Sequence, residues 1–177
     1  MNSSKVSYLF FTLSVILIFS HSLIPTSCKT LYESVCDDTR NRHKEDCLIF
    51  LEILTPSAQN YVDLANSVLD FAISHTTHGQ EYISNFNKKN QSPAIQKCVT
   101  TFYPESVSSF KKAKAELVKD PVAASHDARL AGNGPSSCAD AIKAAKIKDP
   151  LIDSYNEMAL LNSDIVSVAA RKIVKKL

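Results

Sequence analysis

Only three glycines occur among the 177 residues, and tryptophan is absent. So little glycine, none of it inside an alternating apolar and polar stretch, leaves few tight hairpin turns and makes helix the expected state along the chain. Catalytic signatures are missing too. There is no GxSxG, no HExxH, no glycine-rich phosphate loop and no Walker lysine. No serine is tied to a histidine by spacing, and the acidic residues, such as Asp63, Asp70, Glu81 and Glu116, are scattered rather than paired. Catalysis needs a nucleophile beside its base, or two carboxyls at a cleft, so the sequence reads as a non-enzyme without a cofactor.

The cysteines come singly and not as CxxC pairs, which argues against zinc and for disulfides. His75 and His78 could share a metal, but no acidic partner sits at the next turn, so His75 is read as a hydrogen-bonded core residue. The formal charge is only +2, and no aromatics interleave the lysines as a base-stacking surface requires. Nucleic acid is therefore not an expected partner, and the lysines read as solvated helix faces.

A single apolar run, Val6 to Phe19, stands out, preceded by Lys5 and followed by small polar residues. It is too short to span a bilayer comfortably and reads as a secretory signal peptide. Cleavage after Cys28 fits small residues at Thr26 and Cys28, and cleavage after Ser22 fits Ser20 and Ser22. The first is preferred because it leaves an even set, Cys36, Cys47, Cys98 and Cys138, as an oxidising compartment favours. The expected layout is a signal peptide over 1–28 and one domain over 29–177, secreted and free of the membrane once cleaved.

Four pairs, Thr55-Pro56, Ser92-Pro93, Asp120-Pro121 and Asp149-Pro150, set a capping oxygen before a proline and predict four helix starts. Before them, Cys36 and Cys47 flank a polar gap and predict two short helices stapled as a hairpin. The first long helix is expected over 57–87, with a seam of Tyr61, Ala65, Val68, Ala72, His75, Gly79, Tyr82 and Phe86. In the second, the seam slips by one residue between Phe102 and Tyr103, beside Pro104, which predicts a kink or a one-residue bulge. The third should fail at Gly132-Asn133-Gly134-Pro135 and resume with Cys138 just beyond the break. The last, from Pro150 to about Lys176, should place Leu151, Tyr155, Met158, Asn162, Ile165, Ala169 and Ile173 on one face, with Asn162 partnered across the bundle. If the second and third helices are antiparallel, Cys98 and Cys138 fall level and close a clip. The fold class expected is all-α: an up-down-up-down four-helix bundle preceded by a short disulfide-stapled helical hairpin.

This ordering resembles the plant invertase and pectin methylesterase inhibitor family. The residues that carry the likeness are Cys36 to Asn41 ahead of Cys47 to Leu51, Cys98 with Tyr103 shortly after, Ser137 to Ile142, and Ser163 to Ile165 leading into Ala169 to Leu177. The resemblance implies a protein that inhibits without chemistry, as a monomer pairing one to one with a cell-wall or vacuolar carbohydrate enzyme and covering its substrate cleft. For a pectin methylesterase target in the apoplast, the family pattern points by position to Glu105, Asp120 and Ser137, the last where the family has threonine, with Pro121 and Val122 beside them. For an acid invertase target, the family uses a Pro-Lys-Phe turn, and here that place reads Pro121-Val122-Ala123. Three other departures are a Cys36 to Cys47 interval about two residues longer than the pattern, a Cys98 to Tyr103 interval one longer, and the disruptive Gly132 to Pro135. A reading from another class is a secreted bundle that carries a small apolar ligand in a cavity or acts as a signal. Asn90-Gln91-Ser92 is a glycosylation sequon, weakened by the Pro93 that follows.

Overall fold

The computed structural model describes residues 29–39 and 44–174. The expected signal peptide over 1–28, with Cys28 and both cleavage positions, lies outside the described residues. The rest is helical: α1 (Leu31–Cys36), α2 (Lys44–Leu54), α3 (Tyr61–Asn90), α4 (Pro93–Lys97), a π-helical turn (Cys98–Phe102), α5 (Tyr103–Glu116), α6 (Pro121–Ala131), α7 (Asn133–Ala144) and α8 (Pro150–Val174). Short connections turn α3, α4 to α5, α6 to α7 and α8 into four alternating rods, each packed against the next and the last against the first. The expected four-helix bundle with its stapled hairpin is what forms, with Cys36 bonded to Cys47 and Cys98 to Cys138.

Three of the four predicted starts hold. Asp120 caps α6 by accepting the Ala123 N–H at 3.0 Å, Asp149 accepts those of Leu151 and Ile152, and Pro93 opens α4, where the Ser92 side chain makes no capping hydrogen bond. The fourth does not. Thr55 closes α2 instead: its hydroxyl donates to the Leu51 carbonyl at 2.7 Å, and its own carbonyl takes the Tyr32 hydroxyl. The first long helix starts at Asn60, whose side-chain oxygen accepts the N–H groups of Val62 and Asp63 at 2.9 and 3.0 Å. Asparagine caps as well as threonine and needs no proline after it.

The predicted irregularity beside Pro104 is the π-turn. There the Tyr103 N–H reaches back five residues to the Cys98 carbonyl, so it no longer serves Val99. The next N–H that could serve Val99 would belong to Pro104, which has none. The Gln80 amide from α3 supplies the missing donor, at 3.0 Å from the Val99 carbonyl.

The third rod is interrupted only at Gly132, rather than through Pro135 as expected, and Gly134 and Pro135 lie in the first turn of α7. A proline is tolerated there because the first N–H groups of a helix have no internal partner. Even so, Pro135 cannot donate to the Ala131 carbonyl four residues back. The buried Ser106 hydroxyl of α5 does so instead, at 2.6 Å. Gly134 is needed for a different reason: a Cβ there would sit 2.1 Å from the Phe102 carbonyl oxygen at the end of the π-turn.

The core has two parts. One, around Leu51, Leu64, Leu69, Phe110, Leu117 and Ile165, joins the hairpin to the bundle. The other surrounds the second disulfide with Ile83, Ile95, Tyr103, Ile142 and Ile152. Three expectations about side chains need correction. Leu151 is exposed, and α8 is buried on most of its circumference from Leu161 to Ala170, because two rods and α1 all lie against it. Asn162 is buried with neither amide atom hydrogen-bonded among the described residues. His75 is held by ring packing, stacked on Phe71 and tilted against Tyr155 at centroid distances of 5.2 and 4.8 Å, and its buried Nε2 has no hydrogen-bond partner there. Burial, and then His78, push its pKa down, so the neutral imidazole packs as an aromatic ring.

Candidate docking face

The residues singled out for a partner lie on the hairpin made by α5 and α6 to α7, at its two ends. Asp120, Pro121 and Val122 form the tip. Asp120 is exposed while capping α6, Pro121 opens that helix, and Val122 next to it leaves 63% of its surface in water. Glu105, in the first turn of α5, and Ser137, just before Cys138, lie toward the opposite end, where the disulfide joins the rods. Glu105 is exposed and Ser137 half-buried. A helix rises about 1.5 Å per residue, so the 14 residues of α5 separate the two groups by roughly 20 Å. They belong to one helical hairpin and do not form a single cluster.

Sequence reasoning missed two members of this face. Val118, 70% exposed in the turn before Asp120, and Val122 just after it give the tip two exposed apolar side chains. Leu130, toward the end of α6, is also exposed. Neither belongs to a cap or a motif, and only the folded burial pattern distinguishes them. Behind the tip, Glu116 of α5 is half-buried, and its Oε2 has no hydrogen-bond partner among the described residues. Burial first, and then the neighbouring Asp127 carboxylate of α6, raise its pKa.

Among the described residues no three histidine, cysteine or acidic side chains lie close enough to hold a metal ion, and no helix is long and apolar enough to cross a membrane. Gly79 bears on the ligand-carrier reading, which needs a cavity between helices. A Cβ at Gly79 would come within 2.9 Å of both Tyr103 and Tyr155, so this small seam position serves close packing. The grooves at Thr77 to Lys88 and at His126 to Asp164 open to solvent and are lined mainly by polar side chains.

The fold defines a class first, that of small all-helical bundles whose rods are clipped by a disulfide and preceded by a stapled hairpin. Solved structures of the same fold are pectin methylesterase inhibitors from Arabidopsis. A mutant form of one superposes with a TM-score of 0.73 at 20% identity, over 81% of this chain and 97% of that one. A second, from Arabidopsis thaliana, superposes with a TM-score of 0.60 at 21% identity, over 77% of this chain and 91% of that one. No protein-family model and no curated protein sequence matches the chain. At these identities the likeness is one of fold.

Proposed function

We propose that this chain is a secreted proteinaceous inhibitor that docks noncovalently, one copy to one enzyme, on a plant pectin methylesterase and covers its active-site cleft. The observation that carries the reading is the fold, shared along almost the whole length of an Arabidopsis pectin methylesterase inhibitor. The α5 to α7 hairpin is the proposed contact surface, with Val118 and Val122 as apolar anchors and Glu105, Asp120 and Ser137 as polar contacts. A rigid helical face of this kind binds without paying much ordering entropy. Pro121-Val122-Ala123 offers no lysine for acidic catalytic groups and no aromatic anchor, which favours a methylesterase over an acid invertase. We assign residues 1–28 as the signal peptide and 29–177 as the inhibitory domain, working in the apoplast, with the vacuole as the alternative compartment.

The test is to titrate the oxidised 29–177 protein into plant pectin methylesterases and acid invertases at acidic and neutral pH. Both residual activity and co-elution are followed. Inhibition of a methylesterase with one-to-one co-elution is expected, and Val122→Asp should weaken it by at least about tenfold if the anchor is central. Absence of inhibition and of complex formation with every methylesterase sinks the proposal.

A further inference from the structure

Taken along the chain, the lysines of Lys88, Lys89, Lys97, Lys143, Lys146 and Lys148 look dispersed; the bundle gathers them at one end. Lys88 and Lys89 finish α3, Lys97 finishes α4, Lys143 lies in the last turn of α7, and Lys146 and Lys148 lie between α7 and α8. Because the rods alternate, these segments all meet at the pole opposite the Asp120 tip. All six are exposed, and among the described residues none is ion-paired. Asp149, beside Lys148 in the chain, is already engaged by the Tyr82 hydroxyl and two backbone N–H groups, and among the described residues Asp140 and Asp153 form no ion pair with these lysines.

A second observation concerns Lys146. It sits at φ 56°, in the left-handed region, where the Ile147 N–H reaches the Ile142 carbonyl and the Lys146 N–H reaches the Lys143 carbonyl to close the end of α7. Glycine is the low-energy occupant of such a position, and a lysine holds it here at a conformational cost. Gln91, which ends α3 at the same pole, is held in that region too, at φ 46°, so two connections of this pole are closed by left-handed residues other than glycine.

We propose that this pole binds a linear polyanion of the acidic polysaccharide class, whose regularly spaced carboxylates lie across the lysine cluster. The inference rests on charge and backbone geometry, and not on the inhibitor reading. The cluster offers single ammonium charges on long side chains and includes no arginine fork or stacked aromatic, which suits a repeating carboxylate better than a base or a phosphate pair. Two disulfides belong to an oxidising compartment, away from nucleic acid and from the anionic cytoplasmic leaflet.

Polygalacturonate is the direct probe, with its fully methyl-esterified form, duplex DNA and phosphatidylserine vesicles as comparisons, all at low salt. Polygalacturonate alone should bind, and binding should vanish in about 0.5 M salt, as screened surface charge requires. The Lys143→Gln, Lys146→Gln, Lys148→Gln triple variant should bind at least about tenfold more weakly, while Lys111→Gln, Lys112→Gln, Lys119→Gln at the other end should not. Lys146→Gly should raise Tm yet weaken binding, which separates loss of the site from loss of the fold. No binding, equal loss in both triple variants, or equal binding to the neutral polymer, DNA or vesicles overturns the proposal.

Discussion

Ser106 repairs a fault that Pro135 introduces, and Gly134 makes room for a close approach of two backbones. Ser106 donates to a carbonyl that Pro135 leaves without an N–H, so Ser106→Ala strands a buried acceptor. The expected cost is about 1–3 kcal/mol, read as a lower denaturation midpoint with an unchanged slope. Gly134→Ala drives a methyl group into the Phe102 carbonyl, a backbone atom that cannot swing aside. We expect about 3 kcal/mol or more, the upper range for forced overpacking. If Gly134→Ala is as stable as the parent protein, the close approach of α7 to the π-turn is wrong. The Tyr103 hydroxyl donates to Asn156 at 2.9 Å, and burial raises its pKa, so it stays protonated as the hydrogen bond requires.

At the level of elements, the stapled hairpin and the α5 to α6 pair respond to acid in opposite directions. Asp37, at the end of α1, is bonded by Lys29 first and Lys44 next, each at 2.5 Å, and its pKa falls to about 2. A folded-state pKa below the unfolded one gives stability that is present above about pH 4 and lost as pH falls toward 2. Asp37→Asn should therefore be less stable than the parent protein at neutral pH, and thermal melts should show the gap closing through that window. Glu116 has the reverse sign. Its raised pKa makes the native state bind more protons, so its contribution weakens as pH rises from the ordinary glutamate range through its folded value. Glu116→Gln should flatten that decline, and a melt series from pH 4 to 8 that leaves the two profiles parallel would contradict the burial of this carboxyl.

Across the whole molecule, the two disulfides differ in reach. Cys98 and Cys138 lie 40 residues apart and join the second and third rods, while Cys36 and Cys47 lie 11 apart within the hairpin. Loop-closure entropy gives about 4 kcal/mol for the first and about 3 for the second, so replacing Cys98 and Cys138 by serine should lower the denaturation midpoint more than replacing Cys36 and Cys47. This architecture was legible because proline, capping oxygens and single cysteines are local signals that point to segment ends and to pairs. The Thr55 start misled for the same reason, since a threonine before proline can close a helix as well as open one. The seam slip at Phe102 and Tyr103 announced the π-turn. What stayed hidden depends on the third dimension: the exposure of Val118, the ring stack on His75, the missing partner of Asn162 and the lysine pole. The docking face was legible only through the family pattern, because a protein contact surface has no spacing rule of its own.

The meeting of the π-turn with Gly134 has a historical consequence. The π-turn of one rod and the missing side chain of the facing rod occupy the same space, so if the turn arose by insertion, the order in which it and the glycine appeared would matter. A bundle with glycine at 134 and no inserted residue holds only a small void, which a helix pair tolerates. One with the insertion and a bulkier residue there forces two backbones apart beside the cross-link at Cys98. Resurrected intermediates should fold along the first route and fail along the second, and in kindred sequences the longer interval before the tyrosine should travel with a glycine four places ahead of the second half-cystine.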